Sequence, residues 1–206
     1  MTQSEDQIRP PLILASASQS RARMLSASGI KFTAQPAYID EDAVKQSLRL
    51  EGAESIQAAE TLAELKAVKI SLGNPLSLVI GADSILDLQG VWFDKPADVD
   101  HAKAHLMTLR GQTHSLVTAA VVALGGKRIW HYRNRSNMTM RNFSDDFLDR
   151  YLSSVGEDIL SSVGAYHLEG RGAQLFSEVD GDFFSILGLP LLPLLAFLRE
   201  HNVAQA

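Results

Sequence analysis

The segment that most constrains this chain is Leu12–Leu25, LILASASQSRARML. Three apolar residues predict a short strand, small and hydroxyl residues follow, and a helix is expected to begin at Gln19. Such a unit presents free backbone N–H groups and the positive end of a helix dipole at one place, which favours an anion. Arg21 in the first helical turn opposes the dipole, so it indicates a ligand that brings negative charge. The alternative is an ordinary strand–turn–helix unit with Ser18 as N-cap.

Composition narrows the class of protein. Of the 206 residues, 46% are hydrophobic, which is enough for a substantial core, and the net charge of −5 argues against bulk attraction to nucleic acid or an anionic membrane. The absence of cysteine excludes disulfides and zinc–thiolate sites. The first residues are polar and acidic, which is unlike a signal peptide. The apolar run at 186–198 contains two prolines and is too short for a membrane span. We expect a cytoplasmic protein with a flexible tail over residues 1–11 and a single domain over 12–206.

Hydrophobic periodicity and turn residues predict strands that alternate with helices early in the chain, followed by a β-hairpin. The expected strands are Leu12–Ala15, Phe32–Ile39, Leu78–Ala82, His114–Leu124 and Arg128–Met140, with a short hairpin around Gln89-Gly90 after Ile85–Leu88. The expected helices are Gln19–Ser28, Ile56–Leu72, Val99–Leu109, Asp145–Ser154 and Pro190–His201. This order favours an α/β (mixed α+β) domain built on a mixed sheet.

Two charged residues are predicted to lie close to the core. Lys66 falls within the apolar stripe of helix 56–72, and a charge on that face costs free energy unless another group pairs with it. A lysine that reaches solvent from the edge of the stripe is the alternative. Asp83 follows the continuous apolar run 76–80, at the carboxyl end of a predicted strand, where ligands bind in open α/β sheets. A capping or turn-forming role is the alternative for Asp83.

Charged residues in predicted loops are further candidates. The acidic run 40–42 follows a predicted strand, and three neighbouring carboxylates repel one another unless a cation is present, which indicates a hard metal ion. A solvated loop is the alternative. Lys95 precedes Pro96, which favours an extended backbone at the lysine. His101 and His105 have the helical spacing of a metal-binding pair, but no third ligand is evident.

Five blocks, in this order along residues 12–198, resemble the Maf family of nucleoside triphosphate pyrophosphatases, the septum-formation inhibitor proteins. The blocks are LILASASQSRARML, TLAELKAVK around Lys66, VIGADS around Asp83, DKP around Lys95 with LRGQTH, and VGAYHLEGRGAQLFSEVDGDFFSILGLPL from Val163. The resemblance implies a Maf/ITPase-like fold, with an elongated central mixed sheet, flanking helices and two lobes around a cleft. It also suggests a homodimer.

The reaction that the resemblance implies is hydrolysis of a nucleoside triphosphate to the monophosphate and pyrophosphate with a divalent cation, Mg²⁺ or Mn²⁺. The substrate would be a modified or other nucleotide, with 7-methyl-GTP among the candidates. Residue by residue, the implied roles are phosphate or substrate binding for Ser16, Ser18, Arg21 and Ser84, metal binding and water activation for Glu41 and Asp83, and cationic contacts to the phosphates at the catalytic centre for Lys66 and Lys95. Which carboxylate is the base stays open.

The chain departs from the family's pattern at positions that concern substrate and activity. Gln19 and Ser20 stand where the opening motif SxSPRR has its proline and first arginine. Glu169 stands where many relatives that prefer pyrimidine nucleotides have glutamine. Because a carboxylate only accepts hydrogen bonds, Glu169 favours the two adjacent donors of guanine, unless it pairs with Arg171 or points to solvent. The alternative function is a non-catalytic regulator of cell division that binds nucleotide or protein, and Ser20 would fit weakened catalysis.

Overall fold

Residues 9–205 are described by a computed structural model, in which a seven-stranded mixed sheet carries helices on its faces. The sheet order is β2-β1-β3-β5-β6-β7, and β4 pairs with the end of β3. β1 runs parallel to β2 and β3, and the remaining pairs are antiparallel. The strands are β1 Leu12–Leu14, β2 Thr33–Ala34, β3 Leu78–Leu88, β4 Val91–Phe93, β5 Thr113–Leu124, β6 Lys127–Met140 and β7 Phe176–Asp180. The mixed α/β class is confirmed.

Seven α-helices and two 3-10 helices connect the strands within the described residues. The α-helices are α1 Gln19–Ala27, α2 Glu41–Leu50, α3 Ser55–Gly73, α4 Val99–Leu109, α5 Asp145–Val155, α6 Phe183–Ile186 and α7 Leu191–Glu200, and the 3-10 helices are Gly156–Ser161 and Arg171–Leu175. All five helices predicted from the sequence are present, whereas α2 and α6 were not predicted. No helix between residues 9 and 205 combines the length and apolar character that a membrane crossing requires.

The second predicted strand is wrong in its extent. Instead of Phe32–Ile39, only Thr33–Ala34 pairs with β1, at the edge of the sheet. Pro36 has no N–H to donate, so it ends the pairing after the hydrogen bond from Gln35 N to Leu14 O. Most of the predicted tail, residues 1–8, lies outside the described residues. Pro11 at its end accepts a hydrogen bond from Leu78 N at 2.9 Å.

The prediction for the third strand is corrected as well. The segments 78–82 and 85–88 form one strand, β3, that continues to Leu88 and turns at Gln89-Gly90 into β4. Asp83 therefore lies in the middle of a strand and not at its carboxyl end. The polar pair Asp83-Ser84 does not interrupt the strand because both side chains have partners on neighbouring elements.

The two faces of β3 pack against different layers. On one face, its first half joins an apolar cluster with α1 and α7, and Leu86 near its end joins a second cluster with α4 and α5. Ser84 and Thr118 of β5 lie between the two clusters with their hydroxyl oxygens 2.9 Å apart. The opposite face of the sheet packs on α3. At Gly81 the helix comes so close that a Cβ would lie 2.7 Å from Ala67 N.

Gly81→Ala should destabilise the protein by about 1–3 kcal/mol, because the added methyl group meets helix backbone that cannot rotate away. Urea unfolding followed by circular dichroism measures the change. Gly73→Ala at the end of α3 is the matched control, since a Cβ at Gly73 meets no atom within 4 Å. Equal stability of the two variants would contradict the close approach of α3 to β3.

Candidate active site

The site lies at a gap along one edge of β3. On this edge β1 pairs with residues 78–80 and β4 pairs with residues 86–88, while β5 pairs along the other edge. Between these two short neighbours, the stretch Gly81–Ile85 has β5 as its one strand partner within the described chain. Successive side chains of a strand point to opposite faces, so a gap of this kind lets groups from both faces of the sheet meet at one edge.

Lys66 is the centre of the site. Its Nζ lies 2.6 Å from Asp83 Oδ1 and 2.8 Å from Glu41 Oε1. Lys66 and Asp83 are only 6% and 5% exposed, so the cost of burying each charge is offset by the other. The prediction that Lys66 faces inward is confirmed, and one ammonium group joins α3, β3 and α2.

Glu41 reaches the site from the first turn of α2, so the expected acidic loop is a helix start. Asp40 is the N-cap and accepts a hydrogen bond from Ala43 N at 3.0 Å, while Asp42 is exposed in the first turn. Acidic side chains are favoured at a helix N-terminus, which accounts for this run without a metal. The run is therefore divided, and of its three carboxylates Glu41 is the one that pairs with Lys66.

The charges around Glu41 control its ionisation. Burial raises the pKa of this carboxyl group, but the positive charges of Lys66, Lys45 and Lys95 more than compensate, and the pKa lies below its ordinary value. Glu41 is consequently ionised at neutral pH. An ionised carboxylate next to buried Asp83 is a suitable oxygen donor for a hard cation.

Arg21 connects the helix start at α1 to the other face of β3. Its Nη1 donates to Ser16 Oγ at 3.2 Å, its Nη2 donates to Ser84 Oγ at 3.3 Å, and its Nε donates to Gly188 O at 2.7 Å. Burial lowers the pKa of the Arg21 guanidinium below its ordinary value, although the negative charges of Asp83 and Glu41 oppose this shift. These contacts bring three predicted phosphate-binding residues, Ser16, Arg21 and Ser84, into one group.

The remaining predicted residues surround this group at different distances. Ser18 is the N-cap of α1 and accepts from Arg21 N at 3.4 Å, so its hydroxyl serves the helix that carries Arg21. Lys95 is exposed in the loop after β4, and its charge reaches Glu41. Glu169 lies 3.9 Å from Arg23 Nη2, so its ion pair is with α1 and not with Arg171.

Two groups that adjoin the site are not among the residues predicted from the sequence. Lys45 lies one helical turn after Glu41, and its Nζ donates to Asp94 Oδ1 at 2.7 Å. A helix start at Asp40 would have placed Lys45 beside Glu41, but the predicted strand to Ile39 concealed it. Gly188 has a φ of +103°, and a Cβ there would lie 3.2 Å from Arg21 Nε. A glycine between the apolar residues 186–189 was the available signal for this close approach.

The donors for a metal ion are few. Within residues 9–205 no three His, Cys, Asp or Glu side chains converge as a metal-binding group. His101 Nδ1 is 2.8 Å from Asp98 Oδ1, and the ring of His105 packs edge-on against Phe93 at 5.0 Å. Glu41 and Asp83, which meet at Lys66, are two carboxylates at one point, and a cation placed there would need further ligands from water or a substrate.

Comparison with known proteins identifies the family to which the chain is similar. A family model described as Maf-like protein matches residues 11–201. A nucleoside triphosphate pyrophosphatase of Paramagnetospirillum magneticum is 55% identical over 190 residues, which cover 92% of this chain and 98% of that protein. The same name belongs to a Granulibacter bethesdensis protein, 54% identical over 93% of this chain and 97% of its own length. A 7-methyl-GTP pyrophosphatase of Rhizobium meliloti is 47% identical over 97% of this chain and 100% of that protein.

Lys66→Met should destabilise the protein by about 3–5 kcal/mol, because the buried carboxylate of Asp83 loses its counter-ion. Lys66→Met combined with Asp83→Asn should recover a large part of that loss, since the double variant leaves no unpaired buried charge. Denaturant unfolding measures the free energies of unfolding of wild type, Lys66→Met and the double variant. Lys69→Met, on an exposed position of the same helix, is the control and should stay within about 0.5 kcal/mol of wild type. A double variant no more stable than Lys66→Met would contradict this account.

Proposed function

The chain belongs to the family of Maf-like proteins, and from that premise we propose that it hydrolyses a nucleoside triphosphate to the monophosphate and pyrophosphate. The observation that carries the proposal is the meeting of a cation–carboxylate centre, Lys66 with Glu41 and Asp83, and an arginine–serine group on Arg21 at one gap in the sheet. The named pyrophosphatases that resemble the chain over more than 90% of its length support the same reaction.

The charges at the gap suit a triphosphate. Phosphoryl transfer depends chiefly on positioning the phosphates and neutralising their charge, with little covalent chemistry for the protein to do. Arg21 offers a planar fork of donors at the start of α1, where the helix dipole also favours an anion. Lys66 and Lys95 add positive charge on the side of Glu41. The phosphate chain would lie between these two groups of cations.

A carboxylate activates the attacking water in this proposal. Lys66 contacts Oδ1 of Asp83 and Oε1 of Glu41, so Oδ2 and Oε2 are the atoms through which these residues would accept a proton or bind a cation. A general base must come within hydrogen-bond distance of the water it deprotonates. Asp83, in the buried middle of β3, has a position that the strand and Lys66 hold constant.

We propose that Mg²⁺ or Mn²⁺ assists the reaction. Two carboxylates that meet at one point, together with phosphate oxygens and water, are the ligand set that Mg²⁺ commonly uses, so the residues present fit the ion. Glu41 and Asp83 would hold it. When bound, the ion would neutralise phosphate charge and polarise the phosphoryl oxygens.

We propose that the nucleobase of the substrate is guanine-like and that 7-methyl-GTP is the leading candidate substrate. A carboxylate at Glu169 can accept from both adjacent N–H donors on the guanine edge, whereas uracil and thymine present a single ring N–H between two carbonyls. Glu169 lies beside Arg23 of α1, the helix whose first turn carries Arg21. Relatives named 7-methyl-GTP pyrophosphatase support this choice.

The purified protein should release pyrophosphate from a nucleoside triphosphate in the presence of Mg²⁺ or Mn²⁺, and Asp83→Asn should lower kcat by about 10²–10⁴-fold by removing the charge that binds metal or accepts the proton. A panel of canonical triphosphates and 7-methyl-GTP, with separate assays for pyrophosphate and orthophosphate, measures this. Asp100→Asn, exposed at the start of α4, is the control and should keep wild-type rates.

Three results would contradict the proposal: orthophosphate as the product, rates that a chelator leaves unchanged, or Asp83→Asn with more than about a tenth of the wild-type kcat. A folded wild type that binds nucleotide but cleaves no member of the panel would favour the non-catalytic regulator.

Glu169→Gln should lower kcat/KM for guanine-type nucleotides relative to uridine and thymidine triphosphates, because an amide replaces one acceptor oxygen by a donor. The ratio of kcat/KM values for 7-methyl-GTP and uridine triphosphate measures the shift. Glu178→Gln, exposed on β7, is the matched control and should leave the ratio unchanged. The assignment is wrong if wild type prefers the pyrimidine nucleotides or if the ratio does not change in Glu169→Gln.

A further inference from the structure

Lys45 is a buried lysine to which the proposed reaction gives no role. It is 8% exposed and is the buried residue of α2, whose other side chains are partly or fully exposed. A lysine in such a position costs free energy unless it is paired, and replacement of a whole buried ion pair by apolar residues of similar volume is often neutral or stabilising. A helix that needed only to cover the sheet would have an apolar residue at this position.

Asp94 is the partner of Lys45 and receives cations on both oxygens. Lys45 Nζ donates to Oδ1 at 2.7 Å, and Arg49 Nη2 lies 3.4 Å from Oδ2. Arg49 also lies over the ring of Trp92, 5.1 Å from its centroid. Two residues one helical turn apart thus attach α2 to the segment after β4.

The segment that α2 attaches is the one that presents Lys95. Asp94 directly precedes Lys95, which is exposed, and Pro96, which restricts the lysine backbone to extended conformations. β4 ends at Phe93, so the sheet no longer restrains the chain at Asp94. The ion pair with Lys45 takes over that restraint at the point where the functional lysine follows.

The same helix positions Glu41, one turn before Lys45. Burial lowers the pKa of the Lys45 ammonium, but Asp94, and at longer range Asp83 and Glu41, raise it above its ordinary value. Lys45 is therefore charged, and its charge reaches both candidate catalytic carboxylates. Helix α2 therefore links the position of Glu41, in its first turn, to the position of Lys95, through the contact of Lys45 with Asp94.

We propose that Lys45 is a positioning residue: the ion pair between this buried lysine and the half-exposed Asp94 holds Lys95 beside the centre formed by Glu41, Lys66 and Asp83. This inference rests on the proposed function, since Lys95 is taken to contact the triphosphate. Lys45 acts through Lys95 and does not itself touch the substrate.

Kinetics of four variants test the inference: Lys45→Met, Asp94→Asn, Lys95→Met and the double variant Lys45→Met/Lys95→Met. Lys45→Met and Asp94→Asn should each lower kcat/KM for the best nucleotide about 10- to 100-fold, which is the loss expected when the contact of Lys95 with the substrate is displaced. In the Lys95→Met background, Lys45→Met should cost no more than about threefold, because the residue through which it acts is already gone. Lys103→Met, which removes an exposed ion pair between α4 and Asp149 of α5, is the control and should match wild type.

Hydrogen exchange of residues 91–97 gives a second measurement that does not need activity. Exchange in this segment should be faster in Lys45→Met and Asp94→Asn than in wild type and Lys103→Met. Asp94→Asn keeps the lysine, so it tests the pair even if Lys45→Met does not fold.

Multiplicative losses in the double variant, a fully active Asp94→Asn, or unchanged exchange in residues 91–97 would each overturn the inference. A wild type that cleaves no nucleotide would instead overturn the proposed function, and the exchange experiment would still report whether the pair restrains the segment.

Discussion

The ammonium group of Lys66 is the interaction on which the rest of the site depends. It is buried between Asp83 in the middle of β3 and Glu41 at the start of α2, within 2.8 Å of each. A buried cation with two carboxylate partners ties three elements together: displacement of α3 or β3 leaves a charge unpaired in the protein interior, and displacement of α2 removes the second carboxylate from Lys66. The close packing of α3 at Gly81 makes this possible by bringing the helix backbone almost onto the strand.

The shape of the sheet explains why the charges gather at this place. β1 and β4 are short and cover opposite ends of the same edge of β3, so the stretch between them is open on one side. Adjacent residues Asp83 and Ser84 point to opposite faces, and each finds cationic partners there, Lys66 on one face and Arg21 on the other. The gap therefore joins two cationic groups that a continuous sheet would separate.

Helix α2 is mainly exposed, yet it carries two residues that matter for the proposed reaction. Its first turn supplies Glu41, and the next turn attaches Asp94 through Lys45. Gly188 likewise positions Arg21, because its carbonyl oxygen accepts a hydrogen bond from Nε and its lack of a side chain leaves room for the guanidinium. The groups that would contact phosphate are thus held by neighbours that come from distant parts of the chain.

The sequence by itself was sufficient to identify the class of fold, most of the helices and the unusual polar residues. Lys66 within an apolar stripe and Asp83 after a buried run are local patterns, because a helix or strand repeats its exposed and buried positions over a few residues. Tertiary structure decided what those residues meet. Local propensity extended the second strand to Ile39 and ended β3 at Ala82, whereas the edge position of Pro36 and the partners of Asp83 and Ser84 determine the actual bounds. Likewise, the pairing of Lys45 with Asp94 joins residues 49 positions apart, and only the folded chain brings such residues within a hydrogen bond.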